Sequence, residues 1–355
     1  MSSQGRFQVY GPLSMSCAIA SALTNSEFSE WRQAVLLSDK DLEKAYDALQ
    51  AQGNKIAPSS EFTDDACLIA DDLLSGDSLS FLGEKSESIE FRKGELTVVA
   101  GASGHGKSAL MGQIALDLAS QGRKVCILSL EMPPARTLYR MGRQQEGLAV
   151  CGRIPQYRES AADTLEDFLK QIAPFVYLLD RVGSATPKQV FGAIVQSVTK
   201  FGCSHIIIDN LMRVCPEYGD RANEAQKTFV QDLIALAKRF DVHIWLVHHV
   251  RKGQSETDEI NKFSIRGAAA ITDNADNVLL LCRNLAKEKK QEKFYRREVD
   301  ISEADSVLVV AKQRNGDWQG RIPLWFGRTS YRFCPTCARK APRFQFPAIH
   351  NGAHA

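Results

Sequence analysis

"LTVVAGASGHGKSAL", residues 96–110, decides the reading of the chain. Leu96–Ala100 is an apolar, β-branched run of strand length. Gly101–Ser108 matches G-x-x-x-x-G-K-[ST], and the residues after it open a helix. Strand, glycine loop and helix in that order are the context that gives the motif its chemical meaning. The glycines let backbone N–H groups close round phosphates at the positive end of the helix dipole. On this reading Gly101, Ser103, Gly104, His105, Gly106, Lys107, Ser108 and Ala109 hold ATP or another nucleoside triphosphate. Lys107 reaches the β- and γ-phosphates, and Ser108 coordinates Mg²⁺.

Outward from this stretch the texture alternates. Strand-like runs stand at 96–100, 124–130, 176–180, 205–209, 243–247, 277–281 and 306–312, with helical stretches between the first five. One helix starts at Thr186-Pro187, threonine as cap and proline as first helical residue. The pattern predicts an α/β fold, a mostly parallel sheet covered on both faces. Ligands in such sheets sit beyond the carboxyl ends of the strands.

Those ends carry the chemistry. "HIIIDN" ends a buried strand with Asp209, the second candidate metal ligand beside Ser108. "ILSLEMPP" puts Glu131 at the end of another, placed to orient or deprotonate a water. "WLVHHVRKG" ends a third with His248 and His249; alternation aims one of them at the nucleotide edge. Arg251 and Lys252, with the polar stretch after them, read either as solvated or as a phosphate-backbone contact. "LVVAKQRNGDWQG", residues 308–320, ends its strand with Lys312 and Arg314, two apart and pointing the same way, before an Asn315-Gly316-Asp317 turn.

The chain has 355 residues, 44% of them hydrophobic and 24% charged, an ordinary globular composition. It lacks the run of roughly 18 apolar residues that spans a bilayer, so no membrane role is expected. Nine cysteines, odd in number and mostly in apolar runs, fit thiols in a reducing, cytoplasmic compartment. The single CxxC at Cys334–Cys337 has no second pair and is not read as a zinc site. The net charge of +2 hides an asymmetry: residues 1–90 hold 6 Lys/Arg and 15 Asp/Glu, the remainder 38 and 27. An acidic leading segment and a basic body suggest a polyanionic partner. Residues 1–85 read as an acidic, partly helical segment with an amphipathic helix near 64–74, residues 86–333 as the α/β domain, and 334–355 as a tail.

Taken in order, "GELTVVAGASGHGKSAL", "SLEM", "HIIIDNL", "LVHHVRK", "IRGAAAITDNADNVLLLCRN" and "KQRNGDWQGRIPLWF" resemble the hexameric replicative helicases of the DnaB type. Within them the likeness is nearest to the helicase half of phage primase–helicases and Twinkle. It covers roughly residues 86–333. The resemblance implies a RecA-like P-loop NTPase fold and a homo-oligomeric ring, hexameric, with nucleotide between neighbours. It implies Glu131 as catalytic base, Ser108 and Asp209 on magnesium, and His249, rather than His248, as γ-phosphate sensor. Lys312 and Arg314 would reach the neighbouring subunit's nucleotide. Single-stranded DNA would thread the ring, meeting Arg251, Lys252, Arg266 and Gly267, with 5′ to 3′ translocation and unwinding of duplex. Only Cys17 and Cys67 lie in the first 85 residues, so a four-cysteine zinc module is not expected there. The resemblance thus suggests a phage helicase without its own primase, in host cytoplasm, working with a separate primase, loader or polymerase. Two rivals are a recombinase-like ATPase that forms filaments on DNA, and a non-catalytic helicase partner. The segments around 265–280 and 312–320 argue against the first, and intact Lys107, Ser108, Glu131 and Asp209 against the second.

Overall fold

The computed structural model describes residues 58–63, 76–215, 222–249, 269–293, 302–339 and 341–348. The chain divides into two units, Met1–Asp71 and Asp72–Ala355. In the first, the described residues form one 3-10 turn, Ser59–Phe62. The helix expected near 64–74 lies outside the described residues.

The second unit is built on a nine-stranded sheet. The strands are β1 (Leu96–Gly101), β2 (Val125–Ser129), β3 (Val176–Leu178), β4 (His205–Asp209), β5 (His243–His249), β6 (Asn277–Arg283), β7 (Ser306–Gln313), β8 (Gly320–Gly327) and β9 (Arg332–Cys334). Their order across the sheet is β3-β2-β4-β5-β1-β6-β7-β8-β9. The first six run parallel, and β7, β8 and β9 extend the sheet antiparallel. All seven strand-like runs of the sequence are strands here; β8 and β9 are additions.

Both faces are covered, as the near-continuous apolar strands require. Alternate side chains serve the two cores. Val99, Ile207, Trp245, Val247 and Leu279 pack on one face with Leu110 and Ile114. These two belong to helix α1 (Lys107–Ser120). Val98, Ile206, Ile208, Leu246 and Leu280 pack on the other with Val190, Ile194 and Phe229. Those residues come from α4 (Pro187–Phe201) and α5 (Ala222–Phe240). Between α1 and α4 lie α2 (Pro134–Glu146) and α3 (Ala161–Ile172). Helices α6 (Ala269–Asn274) and α7 (Leu285–Lys293) follow later. The cap read at Thr186 is a full capping box: the Gln189 N–H donates to the threonine hydroxyl, and the Thr186 N–H donates to the Gln189 side chain.

Three buried glutamines fasten the segment carrying Tyr331, Phe333 and Phe344 to α1 and α2. Gln113 donates to Phe333 O and accepts from Phe333 N, both at 2.8 Å. Gln145 does the same with Phe344, at 3.0 and 2.9 Å. Gln144 donates to Ala109 O at 2.7 Å and Tyr331 O at 3.1 Å, joining both helices to that segment.

At the amino ends of the parallel strands lies a buried histidine cluster. His205 opens β4, and Trp245 Nε1 donates to its Nδ1 at 3.3 Å. That leaves the proton on Nε2, which donates to Asp77 at 2.8 Å. His243 opens β5 and bonds Arg92 O through Nδ1 at 2.6 Å, while its Nε2 lies 2.9 Å from the Thr97 hydroxyl. Each ring is therefore satisfied as a neutral tautomer. Burial holds both well below the usual histidine range, His243 down to about 3.

Candidate nucleotide site

In sheet order β2, β4, β5 and β1 are consecutive, so their carboxyl ends form one continuous edge. Glu131 lies two residues past β2, Asp209 ends β4, His249 ends β5, and the glycine loop follows β1. The sequence places Glu131 on the end of its strand. The strand instead stops at Ser129, and Leu130 N donates to Asp209 O at 2.8 Å. Glu131 thereby stands clear of the ladder as an exposed residue.

The loop has the backbone its motif demands. Gly106 caps α1 with φ at 93°, which an L side chain rarely adopts, and no side chain caps the helix. The first-turn N–H groups of an α-helix have no intrahelical partner, so this end suits an anion. Gly101 is needed for another reason: a Cβ there would lie 2.5 Å from Leu281 O. Ser103 and Gly104 are exposed, and His105 is buried. His105 Nδ1 lies 3.2 Å from Leu281 O and 3.3 Å from Arg283 N, tying the loop to the end of β6.

Lys107 is buried, with its Nζ donating to Gly101 O at 2.8 Å and Ala102 O at 2.9 Å. Its third neighbour is His249 Nδ1 at 3.0 Å. Burial pulls its pKa down to about 8, against the attraction of Asp209 and Glu131, so the ammonium still predominates at neutral pH. His249 is thus the histidine that faces this edge; His248 is buried within the sheet.

Asp209 is buried, and burial raises its pKa, opposed by a hydrogen bond from Ser108. Its Oδ1 has no hydrogen-bond partner among the described residues. A hydroxyl and a carboxylate with a spare buried oxygen form a hard-oxygen set that fits Mg²⁺. The residues present therefore suit the metal that the motif implies.

One residue of this edge has no counterpart in the sequence reading. Asn210 is fully buried, and its Nδ2 lies 2.7 Å from Glu131 Oε1 and 2.7 Å from His249 Nε2. Arg213 Nε is 3.6 Å from the same glutamate oxygen. No spacing rule marks an asparagine after a strand-end aspartate, and only packing discloses the contact.

Beside the loop, on its β6 side, lies a cavity of about 570 Å³ walled by Gly104, His105, Arg283, Phe326, Arg328 and Phe333. It combines aromatic faces with guanidinium groups next to the glycine-loop backbone.

Lys312 and Arg314 are elsewhere. Lys312 pairs with Val278, near the amino end of β6, whereas the glycine loop meets that strand at Leu281. Lys312 Nζ donates to the Thr272, Asp273 and Ala275 carbonyls, closing the end of α6. Arg314 pairs with Asp276 at 3.0 Å and donates to Asn274 O. The two cations converge on one segment, as their spacing implied, but at the edge of the sheet opposite the chain's own loop. Arg251, Lys252, Arg266 and Gly267 lie outside the described residues. Among the described residues no group of His, Cys, Asp and Glu is arranged to hold a metal by itself, Cys334 and Cys337 included. No described helix is long and apolar enough to cross a membrane.

Comparisons with known proteins agree with this fold. A family model described as an AAA domain matches residues 90–255. The replicative DNA helicase DnaB of Mycoplasma genitalium is 25% identical over 265 residues, 72% of this chain and 55% of its own length. A probable replicative DNA helicase of Trieres chinensis is 25% identical over 274 residues, 74% of this chain and 57% of its own. The chain thus spans little more than half the length of these relatives. Among solved structures, an isolated ATPase domain superposes with a TM-score of 0.64 at 16% identity, covering 79% of this chain and 99% of that one. A DnaB-like replicative helicase, solved with regard to its interactions with primase, gives 0.61 at 16% identity, over 87% of this chain and 75% of that one. The domain has the RecA-like fold of DnaB-type ATPase domains, and the likeness to DnaB-type helicases read from the motifs is supported.

Proposed function

We propose that this chain is the motor of a DnaB-type replicative helicase, an NTPase ring that moves 5′ to 3′ on single-stranded DNA and unwinds duplex. The observation that carries the reading is the division of the catalytic set between opposite edges of one sheet. The carboxyl edge holds a phosphate loop, metal ligands and a candidate base, but Lys312 and Arg314 lie at the far edge. Such a site is completed by a second copy of the chain, with one subunit's far edge against the next subunit's loop.

Within the site, loop N–H groups and Lys107 bind the phosphates. Ser108 and Asp209 hold Mg²⁺, which neutralises charge on the phosphoryl oxygens when bound. Glu131 orients the attacking water and accepts its proton, and the adjoining subunit's Arg314 and Lys312 face the charge that builds on the transferred group. The cavity beside the loop receives the nucleobase, with Phe326 as its stacking face. Phe326→Ala should weaken nucleotide binding about tenfold, since base–aromatic stacking is worth about 1–3 kcal/mol. Binding of inorganic tripolyphosphate should be unchanged. Equal loss for both ligands, read by competition with a fluorescent nucleotide, would place the base elsewhere.

Steady-state hydrolysis with and without single-stranded DNA tests the whole reading. DNA should stimulate turnover, and a rate indifferent to DNA would remove the helicase assignment. DNA affinity, measured by fluorescence anisotropy, should show little sequence preference. It should fall steeply as salt rises from about 50 to 200 mM, because phosphate contacts release counterions. A flat salt response would contradict backbone gripping.

A further inference from the structure

The contacts along the carboxyl edge form a chain: Lys107 to His249 at 3.0 Å, His249 to Asn210 at 2.7 Å, Asn210 to Glu131 at 2.7 Å. Its hydrogen inventory does not close. The Lys107 ammonium directs a donor at Nδ1, and the Asn210 amide directs one at Nε2. A neutral imidazole has one N–H and one lone pair, so it accepts at a single nitrogen. Turning the Asn210 amide over would satisfy an Nε2–H, but would set the amide oxygen against the Glu131 carboxylate at 2.7 Å. Glu131 therefore holds the amide as it stands. Asn210 Oδ1 is buried with no hydrogen-bond partner among the described residues, so no hydrogen bond there anchors the amide from its other side.

We infer that Asn210 is a positioning residue that couples Lys107 to Glu131 through His249. With Lys107 turned back onto the loop carbonyls, lysine and asparagine compete for one imidazole. When phosphates draw Lys107 away, the competition ends. His249 then accepts from Asn210 at Nε2 and presents Nδ1–H to the phosphate side. Asn210, held from both ends, fixes Glu131 Oε1 and leaves the second carboxylate oxygen for water. The order of events matters: the candidate base is aligned only after the phosphates are engaged.

This inference rests on the reading of Glu131 as the base, and the experiment separates the two. Glu131→Gln tests the base, Asn210→Ala and the isosteric Asn210→Asp test the coupling, and each is combined with His249→Ala. Removing a hydrogen bond to a charged group should lower kcat about tenfold to hundredfold in Asn210→Ala. The Kd for nucleotide, which also reports folding, should change little. Asn210→Asp should be no better, because it keeps the shape and loses the donor. The decisive quantity is the double variant: His249→Ala should cost far less kcat in the Asn210→Ala background than in the native one. Losses that multiply, or an Asn210→Ala protein with native kcat, would overturn the coupling. Native kcat in Glu131→Gln would overturn the base itself.

Discussion

Arg314→Ala will bind nucleotide about as tightly as the native protein and hydrolyse almost none of it. Lys107, Ser108 and the loop backbone, proposed to make the phosphate contacts, stand at the other edge of the sheet, so the ground state should lose little. The transition state loses a guanidinium, and arginines supplied across an interface in related phosphoryl transfers are worth about 10³–10⁵ in rate. Lys107→Ala will be inactive for the opposite reason, lacking the phosphate cradle but retaining Arg314. Mixed together, the two inactive proteins should recover part of the activity. Some interfaces in mixed rings pair an intact Lys107 from one subunit with an intact Arg314 from the next. Subunit exchange is checked with labelled protein. Verified mixing without recovery would mean that Arg314 completes no neighbour's site. Within one subunit Arg314 pairs with Asp276, so a denaturant melt of Arg314→Ala, compared with the native protein, checks that the far edge survives the loss of that pair.

The second large effect is on stability. Lowering the pH from about 6.5 should destabilise the domain by several kcal/mol, with the histidines at the amino ends of β4 and β5 as the main source. His243 is held neutral, its pKa depressed from 6.5 to about 3, and His205 is depressed in the same direction. The unfolded chain binds protons at these rings that the folded chain refuses. Their contribution is thus complete above the unfolded value and shrinks as pH falls toward the folded one. Every polar group on the cluster is already engaged: Arg92 O, Thr97, Asp77 and Trp245 Nε1. Asp77, itself held below the carboxylate range, adds a loss of the same sign at lower pH. Asp117 and Asp209 have raised values and act oppositely near the carboxylate range. The histidine signature should therefore be cleanest between about pH 5 and 6.5, as up to two protons taken up by these rings on unfolding, with His105, also depressed by burial, adding in the same direction. Denaturant melts across that range measure it. A midpoint unchanged between them would show that the rings are not buried neutral.

What could be read from the residues depended on how local the signal was. The glycine loop was legible because strand, turn and helix fall within fifteen consecutive residues. The seven apolar runs were legible because buried parallel strands need no partner pattern to look like strands. β8 was harder: Pro323 interrupts "GRIPLWFG", and proline in a run usually argues against a strand. β9 is three residues long and too short for any period to show. Asp209, Glu131 and His249 could each be placed at a strand end, yet their adjacency follows from the order β2-β4-β5-β1, which the chain does not spell out. Asn210 carried no signal at all, since its contacts come from the end of β5 and from the turn after β2, both far away in sequence. The histidines that open β4 and β5 were visible as letters, but their neutral pairing depends on Asp77, Arg92 and Thr97, far away in sequence.

The three glutamines that fasten the segment around Phe333 and Phe344 have a consequence for how that segment can vary. Gln113 and Gln145 each meet one residue's N–H and C=O together, as a neighbouring strand would. They read backbone, not side chain. The register of the segment at Phe333 and Phe344 is thus written on α1 and α2, while side-chain identity is read by the packing of those two rings and by neighbours such as Arg332, whose guanidinium lies over the Phe344 ring. Ten residues separate those two anchors, and some of them carry further ties: Arg339 donates to Asp305, and the Pro342 carbonyl accepts from Arg332. Alignment of this region with any relative should therefore be anchored first on the glutamines of the two helices, whose backbone contacts hold whichever residues the segment carries at those two places.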